Sequence, residues 1–148
     1  MKNKNFFLAT IAGFVAFLVV GLSIYGLFLI NFLSAHSGLP QEILEKVNKP
    51  MQEMNWVAGI VFNLAGAFMV TMILDWAGAK NLLDGLRTGA LIGFLISVYW
   101  ILSLLATTNV YTWTSTIAQV LGETVLIAIV GAVVGWVLGS GKSEKAVN

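Results

Sequence analysis

Four long apolar runs, at residues 6–33, 56–74, 86–106 and 117–138, constrain this chain more than any other feature. Crossing the hydrocarbon of a bilayer takes about 20 mostly apolar residues in a helix, and each run is near or beyond that length. Lipid offers no hydrogen-bond partner to exposed backbone, so such a run must satisfy its own peptide groups, as a helix does. The balance of residues agrees: 58% are hydrophobic and only 10% charged, with a mean hydropathy of +0.88. Soluble domains average about 25% charged residues, so the chain reads as an integral membrane protein. The first run follows Lys2 and Lys4, as a secretory signal would. Its length far exceeds the roughly 7–15 apolar residues of a signal segment, so it is expected to stay as an uncleaved span.

Basic residues set the expected orientation, because Lys and Arg favour the cytoplasmic side. Lys2, Lys4, Lys80, Arg87, Lys142 and Lys145 fall on one side of the four spans, against Lys46 and Lys49 on the other. Both termini are therefore expected in the cytoplasm of a bacterium, with the protein in its inner membrane. Trp56, Tyr111 and Trp113 would mark the outer interface, and Trp76 and Trp136 the inner one. Short connections make sequential helices antiparallel neighbours, so residues 1–148 are expected to form one all-α domain, a four-helix membrane bundle. The longest connection, residues 34–55, contains GLPQEILEKVNKP. Pro40 suits a helix start and Pro50 a stop, while Leu39, Ile43, Val47, Met51 and Met54 recur at helical spacing. A short amphipathic helix over residues 40–48 is expected on the outer surface or capping the mouth of the bundle, with Glu42 and Lys46 at i,i+4 on its wetter side.

Glycines recur every four residues in two spans. Gly85, Gly89, Gly93 and Ser97 open the third, and Gly131, Gly135 and Gly139 close the fourth. Burial of apolar surface cannot drive helices together in lipid, so small residues that let backbones approach are the usual packing device. Both rows fall in the cytoplasmic half, where the third and fourth spans are expected to pack, within the bundle or between protomers.

Glu123 interrupts the last span in QVLGETVLI. It shares an i+4 row with Gln119 and Gly131, so it should face protein. At 1.5 Å per residue it lies roughly 9 Å below the outer end of its span, with Asn63, Tyr25 and Tyr99 at roughly 10–12 Å on the other three. These residues are expected to form a polar cluster at one depth, in which a desolvated carboxyl would hold a proton beside neutral donors. An ionisable residue at such a position is by default a candidate proton or cation site. A second reading makes it a hydrogen-bonded tie between helices. Thr116 and Gln119 fit a capping box, T-x-x-Q, and Asp84 fits the cap of the third span. Asp75, Lys80 and Arg87 read as a solvated cluster, and His36 as a loop residue.

Other chemistry is disfavoured. No basic stripe exists to neutralise nucleic-acid phosphates. The absence of cysteine rules out disulfides and thiolate chemistry, and a single histidine argues against a metal site. No cofactor motif, nucleophile elbow or phosphate loop is present, and a non-enzymatic protein is expected.

Tyr25-Gly26-Leu27-Phe28 and the stretch KNLLDGLRTGALIGF, residues 80–94, resemble a bacterial family of four-helix membrane proteins catalogued as a domain of unknown function. Its members carry an aromatic-Gly-x-x-Phe motif after the first span, a short outer segment and a Gly-rich third span; this chain has Ile24 where they often have tryptophan. The resemblance implies the four-helix architecture and carries over no functional residue. Small multidrug exporters also combine four helices with a membrane glutamate, but in their first span, so only an analogy of size and chemistry holds. The sequence thus supports a structural or accessory subunit that self-associates or joins a larger complex through its glycine faces, with a small proton- or cation-coupled transporter or channel as the alternative.

Overall fold

The computed structural model describes residues 2–49 and 51–140, and among these there is no strand. The elements run α1 (Lys2–Gly21), a π-helical segment (Leu22–Leu29), α2 (Ile30–Ala35), α3 (Gln41–Val47), a 3-10 turn (Met51–Glu53), α4 (Trp56–Trp76), α5 (Leu82–Thr107) and α6 (Trp113–Ser140). Four helices are long and apolar enough to cross a membrane: Lys4–Ala35, Trp56–Trp76, Leu82–Thr107 and Trp113–Ser140. Pro50, Lys142 and Lys145, used above for the helix stop and the orientation, lie outside the described residues.

The helices extend past the apolar runs because polar residues cap them. Asn55 accepts from the Ala58 amide at 3.0 Å and starts α4. Asn81 accepts from the Asp84 amide at 2.9 Å, so the cap of α5 is Asn81, and Asp84 is the residue it captures. In α6 the box is Thr112 with Ser115, each side chain bonding the other's amide, at 2.9 and 3.2 Å. Thr116 and Gln119 therefore lie inside the helix. A cap of this kind contributes about 1 kcal/mol, so the true helix start beats a look-alike one turn later. At its other end α4 stops at Gly78, whose φ of +72° is the left-handed turn that side chains resist. The amides of Gly78 and Ala79 return to the carbonyls of Asp75 and Leu74, closing a Schellman motif.

Helix α6 is the hub. On one side its glycines meet those of α5, with pairs that run in opposite sense: Gly93 lies by Glu123 and Thr124, Gly89 by Ile127 and Ala128, Gly85 by Gly131 and Gly135, and Lys80 by Gly139. A methyl added at Gly85 or Gly139 would overlap the carbonyl of Gly131 or of Lys80. At Gly89 it would stand 2.5 Å from the Ile127 carbonyl oxygen, well inside van der Waals contact. Ser97 continues this row, buried and bonded to the Gly93 carbonyl. On its other side α6 packs on α1 and α4, where Gly13 lies among Val130, Val134 and Ala67. Ala9, Val70, Leu74, Ala79, Leu126, Ile127, Val130 and Val134 form the core.

The two ends of this arrangement differ. At the Gly78 end, Ala67, Val70, Thr71 and Leu74 of α4 are buried. At the α3 end, the residues of α4 from Trp56 to Phe62 are exposed. There the chain after α2 is instead fastened to the α5–α6 loop: the Gly38 amide donates to the Val110 carbonyl at 3.0 Å, and Thr112 Oγ1 donates to the His36 carbonyl at 2.7 Å. Gly38 is required at this crossing, because a Cβ would overlap the Asn109 carbonyl. Helix α3 spans Gln41–Val47, with Pro40 as its cap rather than its first residue. Only Leu44 of α3 is buried; Ile43 and Val47, two of the apolar residues at helical spacing, are exposed. Glu42 and Lys46 pair at 3.0 Å on the helix surface.

The α5–α6 contact generates a first prediction. Gly131→Val should destabilise the protein by about 1–3 kcal/mol, because the added atoms meet fixed backbone at Gly85 and Gly89. Gly59→Ala, where a Cβ meets nothing within 4 Å, should leave the protein as stable or slightly more so. Thermal melting in detergent checks both.

Candidate functional site

The π-helical segment sets up the site. Its bonds skip five residues, as when the Ile30 amide returns to the Tyr25 carbonyl, so residues five apart share a side. Ile24 and Leu29 are such a pair. Both lie against Gly122 of α6, with Tyr25 Oη nearby at 3.7 Å from where a Cβ would stand. In a plain α-helix, at 100° per residue, Ile24 and Leu29 would point about 140° apart. The widened turns thus press Ile24, Tyr25 and Leu29 onto α6 around Gly122.

This winding carries Tyr25 to Glu123. The tyrosine Oη donates to Glu123 Oε1 at 2.8 Å, joining residues 98 positions apart in sequence. Both side chains are partly buried. The backbone of the same glutamate faces α5, its carbonyl lying by Gly93. Glu123 therefore joins three elements: α5 through its main chain, the π-helical segment through its side chain, and α6 as its own.

The other residues expected around Glu123 are placed elsewhere. Tyr99 is 79% exposed, because it lies two residues from Ser97 and so about 200° around α5 from the row that meets α6. Asn63 donates to the Gly59 carbonyl of its own helix at 2.8 Å and not to Glu123. Both Ala67 and the Val130–Val134 turn flank Gly13. Counted from that level toward the α3 end, Glu123 stands roughly 10–17 Å away and Asn63 only roughly 6 Å. Depth measured from helix ends misplaced them, since the ends of α4 and α6 lie at different heights. Gln119 is half-buried one turn from Glu123, and its side chain has no hydrogen bond among the described residues. Thr116, a further turn out, is 2% exposed with an unpaired hydroxyl; the sequence marked it only as a cap.

The remaining polar groups do not converge. His36 is exposed, stacked on Phe32, with its Nδ1 at 2.9 Å from the Phe32 carbonyl oxygen. Asp75, Lys80 and Arg87 are exposed. Among the described residues no three His, Cys, Asp or Glu side chains come together as metal ligands would. The class defined by fold and site is an all-helical chain with four membrane-length helices and a tyrosine–glutamate pair between two of them. No family model, no curated protein and no solved structure matches it.

The Tyr25–Glu123 bond generates a second prediction. Tyr25→Phe and Glu123→Leu should each destabilise the protein, by about 1–3 kcal/mol, because each strands a partly buried polar partner. The double variant should lose less than the sum, by about 0.5–3 kcal/mol, since replacing both partners leaves nothing unpaired. Tyr99→Phe should change stability by less than about 0.5 kcal/mol. Additive losses for the first pair would show that the bond does not hold the π-helical segment to α6.

Proposed function

We propose that this protein is a non-enzymatic, multi-pass subunit of a bacterial inner membrane, an antiparallel four-helix bundle that serves a structural or accessory role. The observation that carries this reading is the Tyr25–Glu123 hydrogen bond. The one acidic side chain within the four apolar runs is engaged in holding two helices together, which is how a structural tie uses a carboxyl in lipid. The likeness to the four-helix family rests on residues 25–28 and 80–94, and it agrees with this architecture without supplying an activity.

Association is where the reading changes from the glycine faces first expected. Those of α5 and α6 are turned on each other, so they are not free for a second copy or another protein. The surface left for self-association or for a larger complex is the α3-end half of α4, where Gly59 is exposed and Asn63 half-buried between apolar neighbours. Asn63 retains an amide oxygen free to accept a bond across a helix pair, and such bonds contribute about 0.6–2 kcal/mol in bilayers. Helix α3 lies at the outer surface in this reading, with Ile43 and Val47 turned to the lipid headgroups as the apolar side of an amphipathic segment. Lys4, Lys80 and Arg87 at the opposite end support a cytoplasmic location for it in the same reading.

A transporter reading predicts proton or cation flux through proteoliposomes that Glu123→Gln abolishes. The subunit reading predicts no flux in either form. It further predicts a native mass above the monomer, or a co-purifying membrane partner, that Asn63→Leu reduces. Proton-driven flux lost on Glu123→Gln would overturn it. Orientation is checked separately: a fluorescent protein fused after Asn148 should fluoresce, and alkaline phosphatase fused there should be inactive, since only a cytoplasmic terminus gives that pattern.

A further inference from the structure

Hydroxyls in apolar helices usually bond the carbonyl one turn back. Thr10, Thr71, Ser97 and Thr124 all do so here. Thr116 does not, and the reason is local. The carbonyl it would use belongs to Thr112, which already accepts from the Thr116 amide at 2.9 Å and from Ser115 Oγ at 3.1 Å. The Thr112–Ser115 cap thus displaces the Thr116 hydroxyl, which is left buried and unpaired. A buried hydroxyl without a partner is costly, and the usual remedy in a polar setting is an ordered water with two to four partners.

The neighbours that such a water needs lie on the same face. Thr116 and Glu123 are seven residues apart, so they differ by only about 20° around α6 and by roughly 10 Å along it. Gln119 falls between them, half-buried, with two donors and an acceptor not engaged by any described residue. Glu123 accepts from Tyr25 through Oε1, leaving Oε2 for another donor. The same face carries Val130 and Val134 deeper in the core, but α4 lies buried only from Ala67 inward and does not close over the outer part.

We propose that Thr116, Gln119 and Glu123 form a hydrated row along the outer half of α6, a binding site for a short file of water molecules that reaches the Glu123 carboxyl from the α3 end. The row shares Glu123 with the helix tie proposed above and uses the carboxyl oxygen that Tyr25 leaves free. It provides the Thr116 hydroxyl with a partner, and it gives Glu123 contact with the outer aqueous phase by which protons can arrive and leave.

The chain contains no cysteine, so single introduced thiols report without background. Ile117→Cys, Gln119→Cys and Leu121→Cys bracket one depth, with Ile117 and Leu121 at 58% and 59% exposure on the apolar surface. Each variant is placed in lipid nanodiscs and treated with a charged, water-soluble methanethiosulfonate. Only a hydrated thiol ionises to the reactive thiolate, so Gln119→Cys should label about tenfold faster than either flank, including the shallower Ile117→Cys. Labelling of Gln119→Cys no faster than Ile117→Cys overturns the proposal. The second measurement is the Tm of Thr116→Val in the same nanodiscs. A hydrated hydroxyl predicts a lowered Tm, because the replacement methyl loses the water's bond. An unchanged or raised Tm overturns the proposal, because it means a dry, unpaired hydroxyl was removed. The proposal requires both results.

Discussion

The approach of α5 to α6 without intervening side chains is the constraint from which the rest of the arrangement follows. At Gly85, Gly89, Gly131 and Gly135, the nearest neighbours across the contact are backbone atoms. In lipid the gain from such an approach is dispersion between main chains and, secondarily, Cα–H···O contacts, and both vanish if a Cβ intrudes. The pair therefore behaves as one thick element. With one flank of α6 committed to α5, only the opposite flank is left for α1 and α4, and Gly13, Ala67 and Val130 meet there. Glu123 sits where this division is made. Its carbonyl lies by Gly93 on the α5 side, while its carboxyl turns to Tyr25 on the α1 side.

The second constraint is the winding of the first helix. An i+4 row such as Gly13, Phe17, Gly21 and Tyr25 drifts about 40° per step on an α-helix, so a long helix cannot keep one face against a straight neighbour. The π turns after Gly21 widen the spacing, and Ile24, Tyr25 and Leu29 then reach α6 together around Gly122. Widened turns of this sort recur at functional sites, and here their effect is to deliver a hydroxyl to the carboxyl of another helix. The glycine at position 122 differs from those facing α5: a Cβ there would meet side-chain atoms and not backbone, the Leu29 methyl at 2.5 Å, so the leucine would have to turn aside.

Much of this was legible in the residues, and what was not has physical reasons. The spans declare themselves because lipid imposes a length on any apolar helix, and Glu123 stands out because charge is rare at that position. Helix ends were misread where hydropathy falls before the helix does: Asn81 and Thr112 are polar, and it is their polarity that starts the helices. The isolation of Tyr99 was available from the sequence, since Ser97 already fixed which side of α5 faces inward. Asn63 required the register between helices, which only tertiary contact sets. The π turns leave no mark in LSIYGLFL, because their cause lies in another helix.

The asymmetry of α4 follows from how its two ends are joined. At one end the Schellman turn at Gly78 leads directly into α5, so α4 is held close and Leu74 and Ala79 are drawn into the core. At the other end α4 is connected through the long segment that includes α3, and the fastening bonds of that segment run to the α5–α6 loop. The Gly38–Val110 and His36–Thr112 bonds tie α2 to the end of α6 and leave the start of α4 outside the tie. Three helices are thus clasped at the α3 end and the fourth is not. The exposure of α4 from Trp56 to Phe62 is therefore a consequence of connectivity, since the bonds that clasp the α3 end run between the segment after α2 and the α5–α6 loop and none of them reaches α4.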